Sequence, residues 1–255
     1  MERRGTLEVV RLAQLAALGA DAIVTTRRGG VSVAPFDTLN LGDHVGDDPC
    51  AVTENRRRLA AAMGVDPDGL AIARQVHGTT SAVARRGSAI GVADVLVTDD
   101  PSVAICVLVA DCVPVVLLDP VARVLCVAHA GWRGTASSVI AAALEAMTGL
   151  GASAARCRAA MGPCVSAATY QVGDDVARAL EAVGCAGAVT PDGSGRYLAD
   201  LAGATRTQLL GAGVAATMID LPTSWTDGGA RWFSDRSQRP CGRFALAARL
   251  QAPRS

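Results

Sequence analysis

Residues 103–118 form the most apolar stretch of this 255-residue chain, and the two residues that interrupt it, Asp111 and Pro114, decide what it can become. A membrane-spanning helix needs about 20 predominantly apolar residues, so a shorter run that carries a carboxylate is expected in a folded core and not in a bilayer. It reads as two buried strands, 103–109 and 113–118, hinged at Asp111-Cys112. Asp119-Pro120 then turns the chain, and 123–129 returns as a third strand ending on His129.

Other elements are marked by their ends. Asp48 and Pro49 open a helix that reaches Met63 and stops at Gly64. Leu70 to Val76 is expected as a short strand delivering His77. Thr135 is a suitable cap for a helix running to Met147, with Gly149 just beyond it. Asp174 opens a helix ending near Gly184, and Asp200 another ending near Gly211. Residues 191–196 and 223–229 are polar, glycine-containing loops. No repeat, low-complexity block or clear linker divides the chain, and strands and helices mix without strict alternation. The expectation is therefore one α+β domain over 1–255, and not a doubly wound sheet.

Composition narrows the partners. Half the residues are apolar but only 3% are aromatic, so the core must be built from Val, Ala, Leu and Ile. The formal charge is zero, which argues against a generally basic surface for nucleic acid. All 24 basic residues are Arg, so any phosphate site must use guanidinium forks. Eight cysteines lack framework spacing, and with no secretory signal they read as reduced thiols in a cytoplasmic protein, expected to be a monomer.

Only three histidines occur, His44, His77 and His129, each in a glycine-bounded polar segment. His77 and His129 sit where expected strands give way to loops, and Cys112 lies at the hinge between them in sequence. Two imidazole nitrogens and a thiolate make a three-ligand set for zinc, with a fourth position left for water or substrate. The spacing is not that of a compact finger, so only the fold can bring the three together. Taken singly, His77 and His129 read more readily as hydrogen-bonded residues at the core edge and Cys112 as a small buried hydrophobe, and it is their shared setting beside Gly, Arg or Asp at strand ends that favours a site. Cys164, after Gly-Pro, is a second thiol with no base placed beside it. The run Arg56, Arg57 and Arg58 reads as a solvated helix face.

Six motifs occur in one order: Thr25–Ser32, Leu39–Asp47, Arg74–Gly78, Ala93-Asp94, Ala110–Cys112 and His129–Gly134. The series closely resembles the laccase-domain family, once called multicopper polyphenol oxidases and now read as purine nucleoside phosphorylases. Gly162–Cys164, Tyr170–Gly173 and the tail from Phe233 to Arg243 extend the likeness over nearly the whole chain. The resemblance implies a single-domain layered α/β sandwich with mixed sheets, and zinc held by His77, Cys112 and His129. It implies phosphorolysis of adenosine, inosine and methylthioadenosine, with adenosine deamination. For some bacterial relatives it implies instead the removal of a wrong amino acid from a nucleotide-linked muramyl precursor. The chain departs from the pattern near its C-terminal third, at Ala168-Thr169, at Pro222-Thr223 and at Asp235.

The chemistry sets further expectations. Deamination needs hydroxide near neutral pH, which an open zinc site supplies by lowering the pKa of water. Phosphorolysis needs an anion positioned beside the ribose carbon, a matter of placement and electrostatics. Arg133, just before the helix expected from Thr135, is the first candidate for phosphate. Arg74 and Arg27 are the next, and Tyr170 is a candidate for stacking on the base. Asp111 either orients a ligand or caps the strand turn. Three histidines cannot build a multicopper oxidase, so copper would enter only by misloading.

Overall fold

A computed structural model describes residues 1–252. The chain opens with the hairpin β1 (Glu2–Arg4) and β2 (Leu7–Arg11), a single turn α1 (Ala13–Ala16) and β3 (Ala20–Thr25). A long loop leads to α2 (Pro49–Met63), then β4 (Leu70–Ile72), β5 (Ser81–Val83) and β6 (Val95–Thr98). The apolar centre follows as β7 (Ala104–Val109), β8 (Val113–Asp119) and β9 (Val124–Ala130), then α3 (Trp132–Ala136) and α4 (Val139–Thr148). The remainder comprises β10 (Arg158–Met161), β11 (Gln171–Val172), α5 (Asp174–Ala182), β12 (Val189–Pro191), β13 (Tyr197–Ala199), α6 (Leu201–Gly211), β14 (Ile219–Asp220) and β15 (Phe244–Leu250).

Two six-stranded mixed sheets, β1-β2-β3-β15-β7-β4 and β14-β10-β8-β9-β6-β5, stack on one another, and a small sheet β11-β13-β12 stands apart from them. Alternation along each strand decides which layer each side chain enters. Ile105, Val107 and Val109 of β7 meet Val116, Leu118, Leu125 and Val127 of β8 and β9 between the sheets. Ala104, Cys106 and Leu108 point the other way, against Leu59 and Met63 of α2. Val113, Val115 and Leu117 pack on Val139, Ile140 and Leu144 of α4. The result is a helix–sheet–sheet–helix sandwich, in which β7, β8 and β9 are buried on both faces. That is why their sequences are almost wholly apolar instead of alternating.

The expected α+β arrangement is what the chain adopts, and several caps fall where they are expected. Asp48 Oδ1 accepts from Cys50 N at the start of α2, and Gly64 closes it at φ +66°. Asp200 caps α6 through Gly203 N. Two local expectations need correction. The strand expected over 70–76 ends at Ile72, because beyond it the backbone turns to bond Asp94. The helix expected from Thr135 is two helices: α3 starts at Trp132 behind Gly131, and Ser138 breaks the run at φ +63°. Thr135 lies buried inside α3 and caps nothing.

Candidate metal centre

The chain passes from one main sheet to the other between β7 and β8, and Asp111-Cys112 is that crossing. Asp111 takes a φ of +90° there, unusual for a residue with a Cβ, and its side chain shows what holds it. Asp111 Oδ1 accepts from Thr226 Oγ1 at 2.5 Å and Oδ2 from Arg236 N at 2.7 Å. It therefore ties the segment 226–236 to the crossing instead of orienting a ligand.

His129 lies near the end of β9, and His77 in the loop after β4 at φ +61°. The fold brings their ring nitrogens and the Cys112 sulfur together, all within 4.8 Å of one another. The two rings lie 4.7 Å apart, centre to centre, tilted by 60°. Gly131 stands against the group: a Cβ there would lie 2.8 Å from His77 Nδ1 and 2.9 Å from Cys112 Sγ. Any side chain at 131 would push the donors apart.

One residue not counted among the sequence candidates fixes two of the donors. Asp94 is fully buried at the start of β6. Its Oδ1 accepts from His77 N at 3.0 Å, and its Oδ2 from Val76 N at 3.1 Å and Gly78 N at 2.8 Å. His129 Nδ1 lies 2.8 Å from Oδ1. A carboxylate only accepts, so Nδ1 carries the hydrogen and Nε2 is left to face the other donors. The sequence signal was an isolated carboxylate opening an apolar strand in Ala93-Asp94-Val95.

Electrostatics prepare the sulfur. Burial alone would raise the Cys112 thiol, but the charge of His129 and hydrogen bonds from His129 and His77 outweigh it and bring it down to about 6. Burial pulls His129 down, while the Cys112 thiolate and Asp94 reverse this and carry it to about 9. Asp94 is also pushed up by burial, yet the bonds from His129, Gly78 and Val76 hold it below the ordinary carboxylate value. Cys164 has none of these partners; burial drives its thiol up, and it sits in the core as a hydrophobe. A nitrogen–sulfur–nitrogen set held this closely, with its sulfur favoured as thiolate, fits a metal ion of borderline softness.

The triad opens into a cavity of about 920 Å³. Arg133 lies in its wall with the guanidinium 4.3 Å over the Trp132 ring, and Arg74 also lines it. Arg133 lies within the short helix α3 and not ahead of a helix start, so the expected help from that start does not apply. Tyr170 lines the cavity beneath Arg236, whose guanidinium lies 5.0 Å from the ring centre. Arg27 is placed elsewhere. Its guanidinium is used by Asp37 O, Asp37 Oδ1 and Gly229 O and rests on Phe233, so it holds loops together and lines no part of the cavity. Of the arginine run on α2, Arg57 and Arg58 pair with Glu54 as a helix face should. Arg56 instead turns into the cavity and bonds Leu41 O.

Known proteins share both the sequence and this architecture. A family model described as multi-copper polyphenol oxidoreductase laccase matches residues 21–251. A purine nucleoside phosphorylase of Mycobacterium tuberculosis is 42% identical over 225 residues, 88% of this chain and 89% of that protein. One of Deinococcus radiodurans is 45% identical over 190 residues, 74% of each. Among solved structures, Bacillus licheniformis YfiH superposes with a TM-score of 0.92 at 29% identity, covering 98% of both chains. YlmD from Geobacillus stearothermophilus gives 0.86 at 33% identity, over 92% of this chain and 93% of that one. With a matching fold, and with a family model spanning all of the metal-centre residues, the chain belongs to the multi-copper polyphenol oxidoreductase laccase family.

Proposed function

We propose that the chain is a zinc-dependent purine nucleoside phosphorylase that also deaminates adenosine. Adenosine, inosine and methylthioadenosine are cleaved with inorganic phosphate to the free base and ribose 1-phosphate. The observation that carries this reading is the His77–Cys112–His129 donor set opening into a cavity where Arg74 and Arg133 have side chains with no hydrogen bond or ion pair among the described residues. The names borne by relatives more than 40% identical, purine nucleoside phosphorylase, support the phosphorylase part of it.

His77, Cys112 and His129 would hold the ion, which when bound supplies Lewis-acid polarisation at the cavity wall. Asp94 holds the backbone of His77 and the ring of His129 through a single carboxylate. Arg133, stiffened by its stack on Trp132, holds the phosphate as a planar fork, with Arg74 as a second cation. Tyr170 offers a face for the purine, with Arg236 packed behind it. The nucleoside and phosphate are the only partners this requires. All eight cysteines are unpaired among the described residues, which supports a reducing compartment and the cytoplasm. Among the described residues no helix is long and apolar enough to cross a membrane.

Product identification tests the reading. Zinc-loaded protein is incubated with adenosine with and without phosphate, and separately with a muramyl precursor. Ribose 1-phosphate that forms only with phosphate is the expected product, and inosine reports the deaminase activity. Free alanine or serine from the precursor, with no ribose 1-phosphate from adenosine, would assign an editing hydrolase instead.

A further inference from the structure

The third histidine also lines the cavity, on a wall remote in sequence from the triad. His44 is exposed, yet the loop bearing it is built from buried polar groups. Asn40, fully buried, donates to Gly42 O and Asp47 Oδ2 and accepts from Gly42 N and Arg243 N. Asn55, also fully buried, donates to Asn40 O. Arg56 Nε donates to Leu41 O, and Leu41 N to Arg243 O. Buried amides of this kind are costly unless satisfied, and satisfied they fix one conformation. What they fix here is the direction of Asp43 and His44.

The wall runs on from the triad to this loop through direct contacts. Asp111, next to Cys112, holds Arg236 N. Asp235, the neighbour of Arg236, lies 3.6 Å from the Arg243 guanidinium. The Arg243 stem and the edge of the His44 ring both lie against Gly42, where an added Cβ would come within 2.9 and 3.4 Å of them. Asp43 Oδ1 lies 3.6 Å from His44 Nδ1, and its other oxygen pairs with Arg56. Nε2, by contrast, has no hydrogen-bond partner among the described residues, and the residue lines the cavity.

Phosphorolysis leaves one chemical need that the triad and the arginines do not meet. The C1′–N9 bond breaks with its electron pair going to the purine, while a phosphate oxygen forms the new bond to C1′. The departing purine must then take up a proton to leave as the neutral base, and arginine guanidiniums do not supply one. We infer that His44 is the general acid, passing the proton on Nε2 to purine N7; this rests on the phosphorolysis reading above. The neutral imidazole left behind is reprotonated from the solvent to which the ring is open.

His44→Gln tests this with two nucleosides. Inosine needs the proton, whereas N7-methylated inosine has a base that already carries a positive charge and leaves without one. With zinc content matched to wild type, the variant should lose roughly 100-fold or more in kcat on inosine and stay within about 3-fold on the methylated substrate. A second readout uses metal-free protein labelled with 15N-histidine. Hypoxanthine should shift one imidazole signal, the one missing in His44→Gln. Equal loss on both nucleosides, unchanged turnover of inosine, or no shift of the His44 signal would each overturn the assignment while leaving phosphorolysis standing. A wild-type protein that forms no ribose 1-phosphate from either nucleoside would overturn the phosphorolysis reading, and this inference with it.

Discussion

Asp94 shows how much of a candidate metal centre can rest on a residue outside its donor set. Its carboxylate holds the backbone of His77 and the ring of His129 at once, so losing one acceptor oxygen disturbs two donors. Asp94→Asn should weaken zinc binding by roughly 10–100-fold, measured by competition with a chelator, and unchanged affinity would remove Asp94 from the site. Cys112 makes a second residue-level prediction. Its folded pKa, about 6, lies below the ordinary thiol value of 9.0. A depressed pKa means that the ionised sulfur contributes stability fully above the unfolded value, and that this is lost as pH falls through about 6. In metal-free protein the alkylation rate of Cys112 should accordingly reach half its maximum near pH 6, scored by peptide mass spectrometry apart from the exposed Cys50. A midpoint near 9 would show that the histidines do not activate the thiol. Cys112→Ala should abolish turnover with the fold intact, since two imidazoles hold zinc poorly. Cys106→Ala and Cys126→Ala, both buried in strands, should instead cost about 1 kcal/mol in denaturant unfolding and spare activity. Turnover in metal-replete Cys112→Ala would contradict the assignment.

Elements differ in how plainly their sequences announce them. Helices α2 and α6 were legible because Asp48 and Asp200 cap them with side-chain oxygens. Strands β7, β8 and β9 were legible because both faces are buried and nearly every residue is apolar, with Asp119 and His129 falling only at or near strand ends. Strand β15 offered no such signal. Phe244–Leu250 is rich in alanine and lies between β3 and β7, where small side chains let the layers approach, so neither alternation nor β-branching marks it. The break between α3 and α4 turns on a left-handed Ser138, a conformation that serine does not advertise. That break moves Arg133 from ahead of a helix into one, where it lies over Trp132. If it holds phosphate there, Arg133→Ala should raise the KM for phosphate by roughly 10–100-fold, as for loss of a charged hydrogen bond, and leave zinc content unchanged. Arg133→Lys should recover part of the loss, because an ammonium cannot reproduce the fork. Deamination should suffer less, since it needs no anion at that place. Equal loss of both activities would make Arg133 a structural residue.

At the scale of the whole molecule, the site exists because the two sheets are joined where they are. The chain crosses between them at Asp111-Cys112, β9 ends beside that crossing, and the His77 loop is drawn to the same point by Asp94. The candidate metal donors were visible in the sequence as residue types at strand ends. Their convergence was not, because it depends on pairing between elements that no local pattern encodes. The rest of the cavity was less legible still: Arg56, Arg236 and Arg243 come from a helix and a C-terminal loop whose path is set by Asp111 and Asn40. The central claim is that this convergence makes one metal centre on which nucleoside cleavage depends. Titrating metal-free protein with zinc, while following bound metal and the phosphate-dependent formation of ribose 1-phosphate from inosine, tests it most directly. Both signals should rise together and level off at one zinc per chain, and both should be absent in Cys112→Ala. Ribose 1-phosphate formed at full rate without metal, or zinc bound stoichiometrically by Cys112→Ala, would contradict it.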